Sequence, residues 1–137
     1  MSWYMDIEPN VFTYVDYTLE EKGYNIFCTT EINKTNVGED GEPTMFPTLY
    51  LHELQPVEQG NDLTNQTVNA VLSTIEVKIF TKTKSECREY CGATTECMKE
   101  LNFNATMLPV VTNGNDYYVG VMRFRRLVAS GDSTIVN

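Results

Sequence analysis

Residues 70–81 place the firmest constraint on how this chain can fold. Val71, Ser73, Ile75, Val77 and Ile79 fall on one side of an extended backbone, and Thr74, Glu76 and Lys78 on the other. That period of two is the pattern of a strand with one core face and one largely wet face. Such a strand cannot stand alone, because its apolar face needs a covering layer. The next segment supplies one. Thr83 followed by Glu86 has the form of a capping box, in which each side chain satisfies a backbone N–H left open at a helix start. Cys87, Tyr90, Cys91, Thr94, Met98 and Leu101 then recur at intervals of three and four, which predicts a helix with one apolar stripe, ending near Asn102.

Towards the N-terminus, Val11, Tyr14, Val15, Thr18 and Leu19 keep helical spacing between Asp6 and about Lys22. Asp6 is placed as N-cap, Pro9 sits in the first turn where its missing N–H costs little, and Gly23 supplies the stop. Residues 24–30 suit a strand. Residues 46–54 suit a second, beginning after Pro47, with Leu49 and Leu51 on one face and Tyr50, His52 and Leu54 on the other. Asn104 to Pro109 leads through the turn Asn113-Gly114-Asn115-Asp116 into a strand over 117–127. Residues 33–43 are expected to form a mobile surface loop, 55–67 a long polar connection and 130–137 a loose tail.

The expected order is therefore helix, strand, strand, strand, helix, strand. With no internal repeat and no linker, it predicts one α+β domain spanning 1–137: a mainly antiparallel sheet with two helices packed on one face and long polar loops. The core is expected over 6–128, with a flexible C-terminal tail at 129–137. A chain of 137 residues and 15.6 kDa has room for one such core.

Charge and cysteine usage narrow the chemistry. Nineteen acidic against 10 basic residues give a net charge of -9, which argues against a surface that clamps a phosphate backbone. The longest apolar runs, such as 107–111 and 119–122, fall far short of the ~20 residues needed to cross a bilayer, so no membrane partner is expected. The opening Met1-Ser2-Trp3-Tyr4-Met5-Asp6 lacks the cationic and apolar regions of a secretory signal, which points to cytoplasmic synthesis. Cys28, Cys87, Cys91 and Cys97 are few for a disulfide-built fold and are expected to be thiols.

Cys87 and Cys91 stand one helical turn apart with Cys97 on the same helix, a spacing from which two thiolates can share a zinc ion. A closed site needs further ligands, and His52 is the single histidine, so small thiols packing along a helix stripe is the preferred explanation. A Cys87–Cys91 disulfide is disfavoured because side chains along a helix run parallel. Any Cys/His or Ser/His/Asp site would have to use His52, which alternates within a strand. No phosphate-binding glycine pattern occurs. No catalytic residue, metal or cofactor is assigned, and the chain is not expected to be an enzyme. Arg123, Arg125 and Arg126 form the basic cluster, with Arg123 and Arg125 on one sheet face and Arg126 on the other. They form either a solvated face or a salt-bridging subunit contact, since guanidinium groups pair bidentately with carboxylates.

Several segments taken in order are familiar together: Met5-Asp6-Ile7-Glu8-Pro9 and the helix after it; Phe46-Pro47-Thr48-Leu49-Tyr50-Leu51-His52; and Gly60-Asn61-Asp62-Leu63 leading to Asn69-Ala70-Val71 and Thr74-Ile75-Glu76-Val77. Met98-Lys99-Glu100-Leu101-Asn102-Phe103, Thr106-Met107-Leu108-Pro109 and Arg123-Phe124-Arg125-Arg126 ahead of Gly131-Asp132 complete the series. In their order and spacing the chain resembles the tail terminator (tail completion) proteins of long-tailed bacteriophages, over about residues 6–132. The cysteine-bearing helix and the last residues depart from that pattern.

The resemblance implies a structural virion protein with no reaction. A homo-hexameric ring would cap the head-proximal end of the tail tube, end tube polymerisation and dock the head-completion protein at the neck/tail junction, after assembly in the bacterial host cytoplasm. Its partners would be copies of itself, the major tail tube protein and the head-completion (neck) protein. DNA would traverse the lumen without specific binding, which an acidic excess suits. Candidate interface residues are Asn61, Asp62, Leu63, Arg123, Arg125 and Arg126, and loops 33–44 and 55–66 are expected to order on assembly. The alternative is a monomeric α+β protein-binding module without catalytic activity.

Overall fold

The computed structural model describes residues 3–31, 46–59, 68–113, 116–132 and 135. Among them a 3-10 turn, Trp3–Asp6, runs into helix α1, Ile7–Glu21. Strands β1 (Phe27–Thr29), β2 (Thr48–Glu53), β3 (Val57–Gln59) and β4 (Ala70–Thr81) follow, then helix α2 (Lys84–Glu100) and strands β5 (Asn104–Asn113) and β6 (Tyr118–Ala129). The sheet runs β1-β2-β4-β6-β5, with β3 pairing β4 alongside. Only β1 with β2 is parallel; the other described pairings are antiparallel. This is the α+β fold that the alternation demands.

β4 pairs with β6 along its whole length, from Ala70↔Ala129 to Thr81↔Tyr118. The register sets Ile75 beside Phe124 and Val77 beside Met122, all four fully buried. Burying each such side chain contributes about 1.5–3 kcal/mol. Leu49 and Leu51 of β2 join the same layer, as does the α1 stripe Ile7, Val11, Val15 and Leu19.

The helix ends follow local chemistry. Thr83 Oγ1 accepts a hydrogen bond from the Glu86 N–H at 3.2 Å, which fixes the start of α2. At its C-terminus the Asn102 N–H donates to the Lys99 carbonyl and the Phe103 N–H to that of Met98, with Asn102 at φ 65. α1 closes the same way through Gly23 (φ 88), whose N–H donates to Glu20 while that of Tyr24 donates to Leu19. Both ends are Schellman closures, and both need a residue that tolerates positive φ.

The structure corrects the sequence-based expectation in several places. Asp6 occupies the N-cap position of α1 with helical backbone angles and no side-chain capping bond, because the 3-10 turn already delivers the chain in a helical direction. Trp3 Nε1, donating to the Val68 carbonyl at 3.0 Å, anchors that turn. The first strand is short, Phe27–Thr29 rather than 24–30. β3 lies within the expected polar connection. The expected lead-in from Asn104 is a full strand, β5, although it carries Pro109 and keeps mostly exposed residues. It is an edge strand whose register breaks between Met107 and Val110, and an edge tolerates a proline. The tail is not loose at Ile135, which is buried and accepts a hydrogen bond from Asn10 Nδ2. The expected loop 33–43 lies outside the described residues.

The approach of α2 to the sheet depends on Gly120. A Cβ there would lie 3.1 Å from Cys87 Sγ and well inside contact distance of Cys91 Sγ. Gly120→Ala is expected to lower stability in urea by about 1–3 kcal/mol through overpacking. Cys91→Ala in the same chain should recover part of that loss, as a double-mutant cycle would show. An unchanged midpoint for the single variant would mean that α2 shifts freely.

Candidate functional site

Register decides which side chains meet on the sheet face away from the helices. His52 stands opposite Glu76 across β2 and β4, and Glu76 opposite Arg123 across β4 and β6, so the three form one row over three strands. Glu76 belongs to the face expected to be wet, yet is only 7% exposed. Its neighbours explain this. Arg123 Nε donates to Glu76 Oε2 at 2.8 Å, and His52 Nε2 lies 3.4 Å from Oε1. The His52 ring stacks on Tyr50 with centroids 4.6 Å apart. His52 Nδ1 is buried with no hydrogen-bond partner among the described residues. The row clasps three strands together.

The arginine cluster divides as alternation predicts. Arg125 points outward, exposed and without a partner among the described residues, beside Leu127, which is 57% exposed. Arg126 points to the helix side. Its Nη1 donates to the Leu101 carbonyl at 3.0 Å and its Nη2 pairs with Asp132. Arg126 therefore ties the end of α2 to the turn after β6. Arg123 is half engaged by Glu76, leaving Arg125 as the available guanidinium of the three. Asn61, Asp62 and Leu63 lie outside the described residues.

A second polar group sits at the sheet margin. β1 pairs with β2 only from Thr48 to Tyr50, so the N–H of Glu53 faces an open edge. Glu8, in the first turn of α1, accepts that N–H at 2.8 Å, and Ser73 Oγ donates to Glu53 Oε2 at 2.5 Å. Sequence reasoning missed this group, although Ser73 in the middle of an apolar strand face was its signal. Burial pushes the Glu53 carboxyl above its ordinary pKa; the Ser73 hydrogen bond opposes this and the Glu8 charge adds to it. A carboxyl so shifted favours the fold fully below its unfolded pKa, and that contribution is lost as pH rises through the folded value. Glu53→Gln is thus expected to melt above the parent at pH 7 and to converge with it as pH falls below about 4. A constant difference at both pH values would show that the Glu53 charge is not the cause.

The four cysteines are free: Cys87, Cys91 and Cys97 are buried and Cys28 half-buried. The hydrogen bond between Cys87 and Cys91 lowers the Cys87 thiol to about 7 against the effect of burial, and raises Cys91. Burial raises Cys97, opposed by Lys22, and burial also raises Cys28. Among the described residues no three His, Cys, Asp or Glu side chains lie together as a metal site would require. Chelators are expected to leave folding unchanged, with all four thiols titrating after denaturation. Stoichiometric zinc in the purified protein would overturn this.

Neither a protein-family model nor a curated protein matches this chain. No described helix is long and apolar enough to cross a membrane.

Proposed function

We propose that this chain is a ring-forming tail terminator of a long-tailed bacteriophage, acting by contact alone. The observation that carries most weight beside the resemblance is the sheet face that neither helix covers. Along β4 and β6 it bears Lys78, Arg123 and Arg125 against Glu76, a local positive excess in a chain of net charge -9. Val57, Val110 and Leu127 stand on it 53%, 55% and 57% exposed. Exposed apolar side chains beside an uncompensated positive charge are what a subunit contact uses.

A ring subunit needs two different surfaces that fit each other, and closure of the ring then ends lateral growth. The free axial faces would cap the tube and receive the neck protein, and the acidic excess would keep passing DNA from adhering. Phage lacking this protein are expected to produce DNA-filled heads unjoined to over-long tails in electron micrographs. Tails of normal length joined to heads would overturn the proposal.

A further inference from the structure

Resting on that ring proposal, the inference concerns which surfaces meet. Arg125 is exposed and unpaired among the described residues, whereas Arg123 binds Glu76 and Arg126 binds Leu101 and Asp132. On the opposite layer, Tyr17, Glu20 and Glu21 border a surface hollow at the C-terminal half of α1. Tyr17 is 63% exposed, and its hydroxyl donates to Glu21 Oε1 at 3.0 Å, which fixes the ring beside the carboxylate. Glu20 is exposed and has no partner among the described residues.

A phenol ring flanked by two carboxylates is a receptor for a guanidinium group. The carboxylates take its N–H donors, bidentately where geometry allows, and the ring takes its face. Arg125 cannot reach this hollow in its own subunit, because α1 packs on the inner face of the sheet and Arg125 points from the outer one. We infer that copies of this chain associate head to tail, with Arg125 of one copy seated between Tyr17, Glu20 and Glu21 of the next. The contact is heterologous, the kind from which rings are built. A second copy is the occupant because both halves of the charge match are present on one chain, on opposite layers.

The test is the concentration dependence of mass in solution, by sedimentation velocity, for the full chain and two charge-reversed variants. Arg125→Glu makes the sheet face acidic. Glu20→Arg with Glu21→Arg makes the helix face basic. All three positions are exposed, and circular dichroism melts confirm that each variant folds. Each variant alone is expected to need at least about tenfold more protein than the parent to assemble, since like charges then face each other. An equimolar mixture should assemble as the parent does, because each reversed surface meets its reversed complement at alternating contacts. Assembly of Arg125→Glu at the parental concentration, or a mixture that does not recover, overturns the contact and leaves the ring proposal standing. A parent chain still monomeric at the highest concentration overturns the ring and the contact together.

Discussion

The in-register pairing of β4 with β6, twelve residues from Ala70↔Ala129 to Thr81↔Tyr118, is the constraint on which the rest depends. A slip of one residue would turn Glu76 and Lys78 into the core and Val77 and Ile79 out of it, so burial on one face pins the register. The pinned register then sets His52, Glu76 and Arg123 in one row, Ser73 beneath Glu53, and Gly120 under the thiols of α2. The pairing is not local: α2 and β5 intervene between the two strands. Gly120 is where that detour closes, because only a residue without a side chain lets α2 lie so close to β6.

What was legible in the sequence had a reason that local pattern could carry. β4 is legible over Ala70–Thr81 because Val71, Ser73, Ile75, Val77 and Ile79 hold one alternation, and α2 because capping box and stripe agree. The inward and outward division of the arginines followed from period two alone. What was hidden depends on partners distant in the chain. β5 has only a half-buried face, with Ala105 and Val111 against the core, and contains Pro109; pairing with β6 completes it as a strand. β3, with every residue exposed, extends a margin that β4 provides by outrunning β2. The Asp6 cap failed because Trp3 reaches across to Val68, a contact no local rule contains.

The candidate site was legible by residue and less so by role. His52 read as a strand residue and is one, but its stacking on Tyr50 and closeness to Glu76 follow only from pairing with β4. Glu76 read as wet and is nearly buried, because a carboxylate with a guanidinium and an imidazole beside it is sheltered by its own partners. Arg126 also serves its own fold, a role the sequence does not show because Asp132 arrives from beyond the end of β6. Arg125 differs from Arg123 by two residues, and yet no described carboxylate stands opposite it: its cross-strand neighbour on β4 is Thr74.

That difference matters for a chain of net charge -9, whose copies repel one another at long range. At physiological salt such repulsion is screened beyond about 8 Å, so it slows encounter without deciding the outcome of close contact. Association must then come from short-range complementarity, where a few opposite charges and exposed apolar side chains act together. An internally paired arginine brings little to such a contact, because its charge is already compensated and breaking the pair would strand Glu76. An unpaired arginine beside Leu127 brings an uncompensated charge and apolar area at once. Under the ring proposal, general acidity keeps free subunits apart in dilute solution and leaves their union to short-range contacts such as the outer sheet face around Arg125, where the sign is locally reversed.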